Sequence, residues 1–185
     1  MSIPKRGWAF VVTRLGPWPG KPKRLRTVGR YQVYRDGVVV PGLSGGTIER
    51  QGPSDNSATG EQEHRRVEAG KYPARTHRTT SYKTSGYKSS GQPPKPAIGL
   101  GGPQASMGAR DGILVHPAAG FGSTIGCINL GPEITGPNSK LTMRDSLRRV
   151  VAVIDDLKAF AGPRFPGPDS EAIPGAFVMI IDPPG

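Results

Sequence analysis

Apolar and polar positions come in short bursts through the first hundred residues and in longer regular patterns after that. Residues 8–13 read Trp-Ala-Phe-Val-Val-Thr, a strand-like run followed by Arg14. Residues 30–34 and 38–40 are rich in β-branched and aromatic side chains and flank Asp36-Gly37, a pair suited to a tight turn that needs positive φ. That is the clearest hairpin signal in the chain. Residues 47–50 predict another short strand, and residues 51–66 have the composition of a loop. Residues 71–76 predict an edge strand, because Pro73 has no amide to give to a central ladder. Residues 79–100, dominated by Thr, Ser, Lys, Gly, Tyr and Pro, predict a mobile loop or a flap over a groove.

The texture changes at Gly112. Residues 112–116 are a short apolar strand ending in His116, and residues 123–130 are a second apolar segment containing Cys127. A helix over 142–160 follows. Thr142 can cap it, with Asp145 three residues on as an imperfect capping box. Met143, Leu147, Val150, Val151, Ile154 and Leu157 fall at helical spacing on one face, which is core rather than a cofactor box. Gly162-Pro163 ends the pattern, and residues 176–181 read as a closing buried strand. No internal repeat is present. The fold class expected is mainly β, a β-rich α+β arrangement with one substantial helix, in a single domain over residues 1–185.

Composition sharpens this picture in three ways. The chain has 27 glycines and 20 prolines among 185 residues and only 35% apolar residues, which rules out a compact helical bundle. No apolar run approaches the ~20 residues a membrane-crossing helix needs, so no membrane span is expected. The first dozen residues are basic and then briefly apolar, but Thr13 and Arg14 interrupt them and no small-residue cleavage site follows. They do not read as a cleavable signal peptide.

Charge is one-sided. Residues 1–100 carry 18 Lys and Arg against 6 Asp and Glu, whereas residues 101–185 carry 7 against 8. A polyanionic partner follows from that balance, either nucleic acid or the carboxylates and teichoic acids of a bacterial wall. Tyr82 and Tyr87, interleaved with Lys83 and Lys88, suit base stacking; placement in a long loop is the reading preferred, and nucleic acid is the minor alternative.

One cysteine excludes an intrachain disulfide. Of the three histidines, His64 and His77 lie in charged, loop-like surroundings. His116 ends an apolar strand eleven residues before Cys127. A strand, a loop and a returning strand of that length bring the two side chains together. An imidazole near a thiol draws it toward thiolate, the form that attacks carbonyls. Gly126 lets the backbone turn tightly, leaving an amide to face a developing oxyanion. The region has no second histidine and no further cysteine, so neither a metal nor a cofactor is expected. A buried structural thiol beside an incidental histidine is the competing reading.

The passage from Gly112 through His116, Pro117, Thr124, Gly126 and Cys127 to Asn129 resembles the signature of L,D-transpeptidase catalytic domains. There a strand ends in histidine and a Ser/Thr-His-Gly-Cys-x-Arg/Asn segment follows. His116 matches the strand-end histidine, Thr124 the hydroxyl position, Gly126-Cys127 the Gly-Cys pair and Asn129 the Arg/Asn position. Residues 67–73 are similar to the family's strand entry, with Glu68 where proline is usual. Two departures stand out: Ile125 replaces the histidine before Gly-Cys, and Pro117 replaces the usual Ser/Thr. The short His-to-Cys spacing is similar to small divergent members, among them toxins exported by type VI secretion.

The resemblance implies an L,D-transpeptidase-like β-sandwich or barrel acting on peptidoglycan tetrapeptide stems. It implies Cys127 as nucleophile and His116 as base, with the Gly126 and Cys127 amides at the oxyanion. The Pro117 carbonyl would orient the His116 ring, and Thr124 and Asn129 would support the turn. Cleavage or exchange of the terminal D-alanine is expected ahead of crosslinking. With no export signal read in the sequence, the expected role is an antibacterial effector delivered into the periplasm of a target bacterium, which leaves room for an immunity protein as partner. A basic nucleic-acid-binding module and an inactive structural or phage-associated relative are the alternatives.

Overall fold

A computed structural model describes residues 2–20, 24–52, 54–56, 66–101, 112–122, 126–167 and 171–183. Among these residues ten strands run in chain order: β1 (Trp8–Gly20), β2 (Arg24–Arg35), β3 (Val38–Arg50), β4 (Gly70–Arg75), β5 (Tyr82–Lys83), β6 (Lys95–Pro96), β7 (Ile98–Leu100), β8 (Leu114–His116), β9 (Ile128–Gly131) and β10 (Ala172–Ile181). Helix α1 (Met143–Ala161) lies between β9 and β10. Among the described residues, eight strands close into a barrel in the order β1-β10-β4-β7-β8-β9-β3-β2, and β5 pairs with β6 in a separate two-stranded sheet. This is the β-rich fold with one substantial helix that the sequence predicts.

Alternation along each strand builds the core. Trp8, Phe10 and Val12 from β1 meet Ala176, Val178 and Ile180 from β10 in parallel register. Tyr31, Val33, Tyr72, Ala74, Ile98, Leu100, Val115, Ile128 and Leu130 join them in one buried cluster. All point inward, as side chains two apart on a strand must. The helix packs Val150, Val153, Ile154 and Leu157 onto the same cluster. Thr142 caps it, accepting from the Asp145 amide at 3.1 Å. Of the expected apolar face, Met143 and Val151 are only half-buried, while Val153 is fully buried.

Four expectations need correction. The first strand does not stop at Thr13 but runs on to Gly20, with a register shift between Arg14 and Gly16. Arg14 points inward there and is fully buried, bonded to Glu49 and to the Val67 carbonyl. Second, residues 38–40 and 47–50 belong to one continuous β3, paired with β2 on one side and β9 on the other. Third, β4 is not an edge strand, because it pairs with β10 and β7. Pro73 is tolerated where the β4–β7 ladder gives out, its carbonyl accepting from the Gly101 amide at 3.0 Å.

The fourth correction concerns residues 79–100. Their last three residues are β7, a buried barrel strand. The rest is an excursion held by backbone bonds: Thr79 N to Tyr82 O at 2.8 Å, Lys95 N to Ser81 O at 2.8 Å and Ala97 N to Lys83 O at 2.9 Å. Thr84 is buried within it and donates to the Ala97 carbonyl at 2.7 Å.

Candidate active site

β8 and β9 lie side by side in parallel, with Val115 opposite Ile128 and His116 opposite Asn129. Val115, Ile128 and Leu130 face the core, so His116 and Asn129 face outward. Ile48 and Val28 continue their row across β3 and β2. Cys127 immediately precedes β9, one register step back beside Leu114. That places it two positions before Asn129, the residue opposite His116.

The sulfur is held by backbone. It accepts from the Leu114 amide at 3.4 Å and donates to the Gly112 carbonyl at 3.8 Å. Cys127 is partly exposed, unlike the fully buried structural thiol of the competing reading. Gly126 adopts φ of +100°, a conformation costly for any residue with a Cβ.

His116 is only 5% exposed. Its Nδ1 lies 2.9 Å from the Pro117 carbonyl. A carbonyl only accepts, so Nδ1 carries the hydrogen and Nε2 is left as the basic nitrogen. Asn129 Nδ2 donates to the His116 carbonyl at 3.2 Å and sits 3.4 Å from each ring nitrogen. Burial lowers the imidazole below its ordinary value near 6.5; the Pro117 carbonyl opposes this and the Lys95 charge adds to it. The ring is therefore a neutral base at neutral pH.

Tyr82 completes the arrangement. Its ring lies 4.7 Å from the imidazole, centroid to centroid, at an interplanar angle of 48°. Burial raises its phenol above the ordinary value, and the charge of Cys127 raises it further. Sequence reasoning missed this contact, because Tyr82 lies 34 positions from His116 in a stretch that reads as loop. The Leu114 amide and Gly112 carbonyl were equally hidden, since backbone groups leave no mark in residue identity.

His116, Pro117 and Asn129 thus come to one place on the barrel's outer face, and Gly126 and Cys127 lead into β9, Cys127 two positions before Asn129. Thr124 and His64 lie outside the described residues. His77 belongs to the neighbouring excursion, where its amide donates to Thr84 Oγ1 at 2.8 Å. Tyr87 packs against the core cluster, with Lys158 5.4 Å from its ring centroid. Both tyrosines considered for base stacking have partners within the chain. Among the described residues, no three His, Cys, Asp or Glu side chains group as metal ligands would, and no helix is long and apolar enough to cross a membrane.

Comparison of the chain with family models, with curated proteins and with solved structures found no match.

Proposed function

We propose that this protein is a cysteine-dependent peptidoglycan-modifying enzyme that cleaves or exchanges the terminal D-alanine of tetrapeptide stems. The observation that carries the reading is the buried His116 ring with Nδ1 tied to the Pro117 carbonyl, on the same barrel face as the backbone-held sulfur of Cys127. Resemblance to the L,D-transpeptidase signature supplies the substrate class. The geometry supports the order of events.

Nε2 of His116 takes the thiol proton, and the Leu114 amide helps hold the charge on sulfur. The thiolate attacks the carbonyl between the diamino acid and D-alanine. The amides of Cys127 and Gly126 stabilise the tetrahedral oxyanion. The C–N bond then breaks, His116 returns its proton to the D-alanine amine, and a thioester remains on Cys127. Water releases a tripeptide; a free D-amino acid gives an exchanged stem. Delivery into the periplasm of a target bacterium, with an immunity protein as partner, belongs to the same proposal.

Reduced protein incubated with purified disaccharide tetrapeptide should yield tripeptide, and added D-methionine should yield the exchanged product, both read by mass spectrometry. Cys127→Ala should abolish both. Absence of both products from folded wild-type protein overturns the reading. Directed to the periplasm of a susceptible bacterium, the wild type should arrest growth while Cys127→Ala does not.

A further inference from the structure

A neutral base must be kept from water and pointed at its acid, and the backbone of β8 alone does neither for an outward-facing imidazole. We propose that Tyr82 is the positioning residue for His116: its ring packs on the imidazole and fixes the direction in which Nε2 points. The inference rests on the reading of His116 as the base.

The contact is built rather than incidental. Tyr82 pairs with Lys95 through the parallel β5–β6 register. Its backbone is held on the other side as well: its amide donates to Thr79 Oγ1 at 3.0 Å and its carbonyl accepts from the Thr79 amide at 2.8 Å. Thr84, two residues on, anchors the segment to both His77 and Ala97. With its backbone held on both sides, the ring is delivered to His116 at a separation typical of packed aromatic pairs, about 4.5–7 Å. Such a ring excludes water from the neutral imidazole. When the imidazole becomes cationic on taking the thiol proton, the ring presents a π surface to it.

The charged and titratable groups facing this pair, among the described residues, are Lys95 from β6 and Cys127 ahead of β9. Asn129 from β9 is uncharged, and residues 117–122 contain no titratable side chain. Lys95 acts on the His116 charge in the same direction as burial. Tyr82 therefore acts by cover, and Lys95 by charge.

The test follows the His116 ring by NMR titration in the full chain, with His116→Gln assigning its resonances. Tyr82→Ala should raise the His116 midpoint toward that of an ordinary imidazole, and Tyr82→Phe should leave it in place. Tyr82→Ala should also lower kcat on the order of tenfold to a hundredfold with KM little changed, as misplacement of a reacting group does. Tyr82→Phe should restore it. An unmoved midpoint in Tyr82→Ala, or a change confined to KM, overturns the assignment. Should Tyr82→Ala fail to fold, Tyr82→Thr, which suits a strand but leaves the imidazole uncovered, decides the same question, a raised midpoint supporting the assignment and an unmoved one defeating it. If the wild type makes no tripeptide, the enzyme reading falls, while the His116 midpoints still decide the role of Tyr82.

Discussion

At the residue following His116 the chain needs an acceptor and no donor, and Pro117 supplies that. Its carbonyl fixes the tautomer of His116, leaving Nε2 basic. Any residue there would keep the carbonyl, so Pro117→Ala should retain most activity in the tetrapeptide assay. The depressed titration of His116 has a consequence for stability. Below about 6.5 the unfolded chain takes up a proton that the folded protein refuses. Stability is therefore full above that value and falls as the pH drops toward the depressed folded midpoint. Urea unfolding between about pH 7.5 and 5.5 should show a larger loss for the wild type than for His116→Gln. An equal loss in the two proteins would place the acid sensitivity elsewhere. The strand ending in His116 and the Gly126-Cys127 step before β9 were legible from sequence because they carry their signal in residue identity. Tyr82 was not, because its role depends on where the excursion lays its ring.

At the scale of elements, local signals succeeded where local forces decide. The Asp36-Gly37 turn joins β2 to β3 with both residues at positive φ. Thr142 begins the helix as its side chain predicts, its hydroxyl also donating to the Asp145 carboxylate at 2.8 Å. Thr142→Ala should cost about 1 kcal/mol in urea denaturation, and Thr142→Ser should recover most of it. A loss near zero in Thr142→Ala would mean the helix start is held by its packing alone. The reading of β3 failed for an instructive reason. Gly45 and Gly46 look like loop residues, yet they sit within the strand where β3 meets β9 most closely. A Cβ on Gly46 would lie 2.3 Å from the Pro132 carbonyl oxygen. Glycine there serves close approach rather than flexibility, and nothing in its neighbours distinguishes the two.

The whole molecule is closed by a contact between distant segments. β10 lies parallel to β1 and antiparallel to β4, so both flanks of the barrel depend on it. Inside, Arg14 is 0% and Glu49 1% exposed by side chain, with the ion pair at 2.6 Å. Burial works against the Arg14 charge, but the bonds to Glu49 and then to Asp182 outweigh it and hold the guanidinium above its ordinary value. Glu49→Ala removes the buried partner of that cation and leaves it only the half-exposed Asp182 among the described carboxylates, and should cost about 3–5 kcal/mol. The double change Arg14→Met with Glu49→Leu should cost much less, since it removes both charges together. Urea midpoints of the three proteins check this, and equal losses would show that the pair is not the source. Arg14 reads as the polar end of a strand, because one chain neighbourhood does not reveal a carboxylate 35 residues away.

Strand alternation, the Asp-Gly turn and the helix stripe were determined by the sequence itself, since each depends on residues a few positions apart. Closure of the barrel, the burial of Arg14, the continuity of β3 and the seating of Tyr82 on His116 were decided only by the tertiary structure. Each of these is a pairing between segments far apart in the chain, and the energy that selects it arises only when those segments meet.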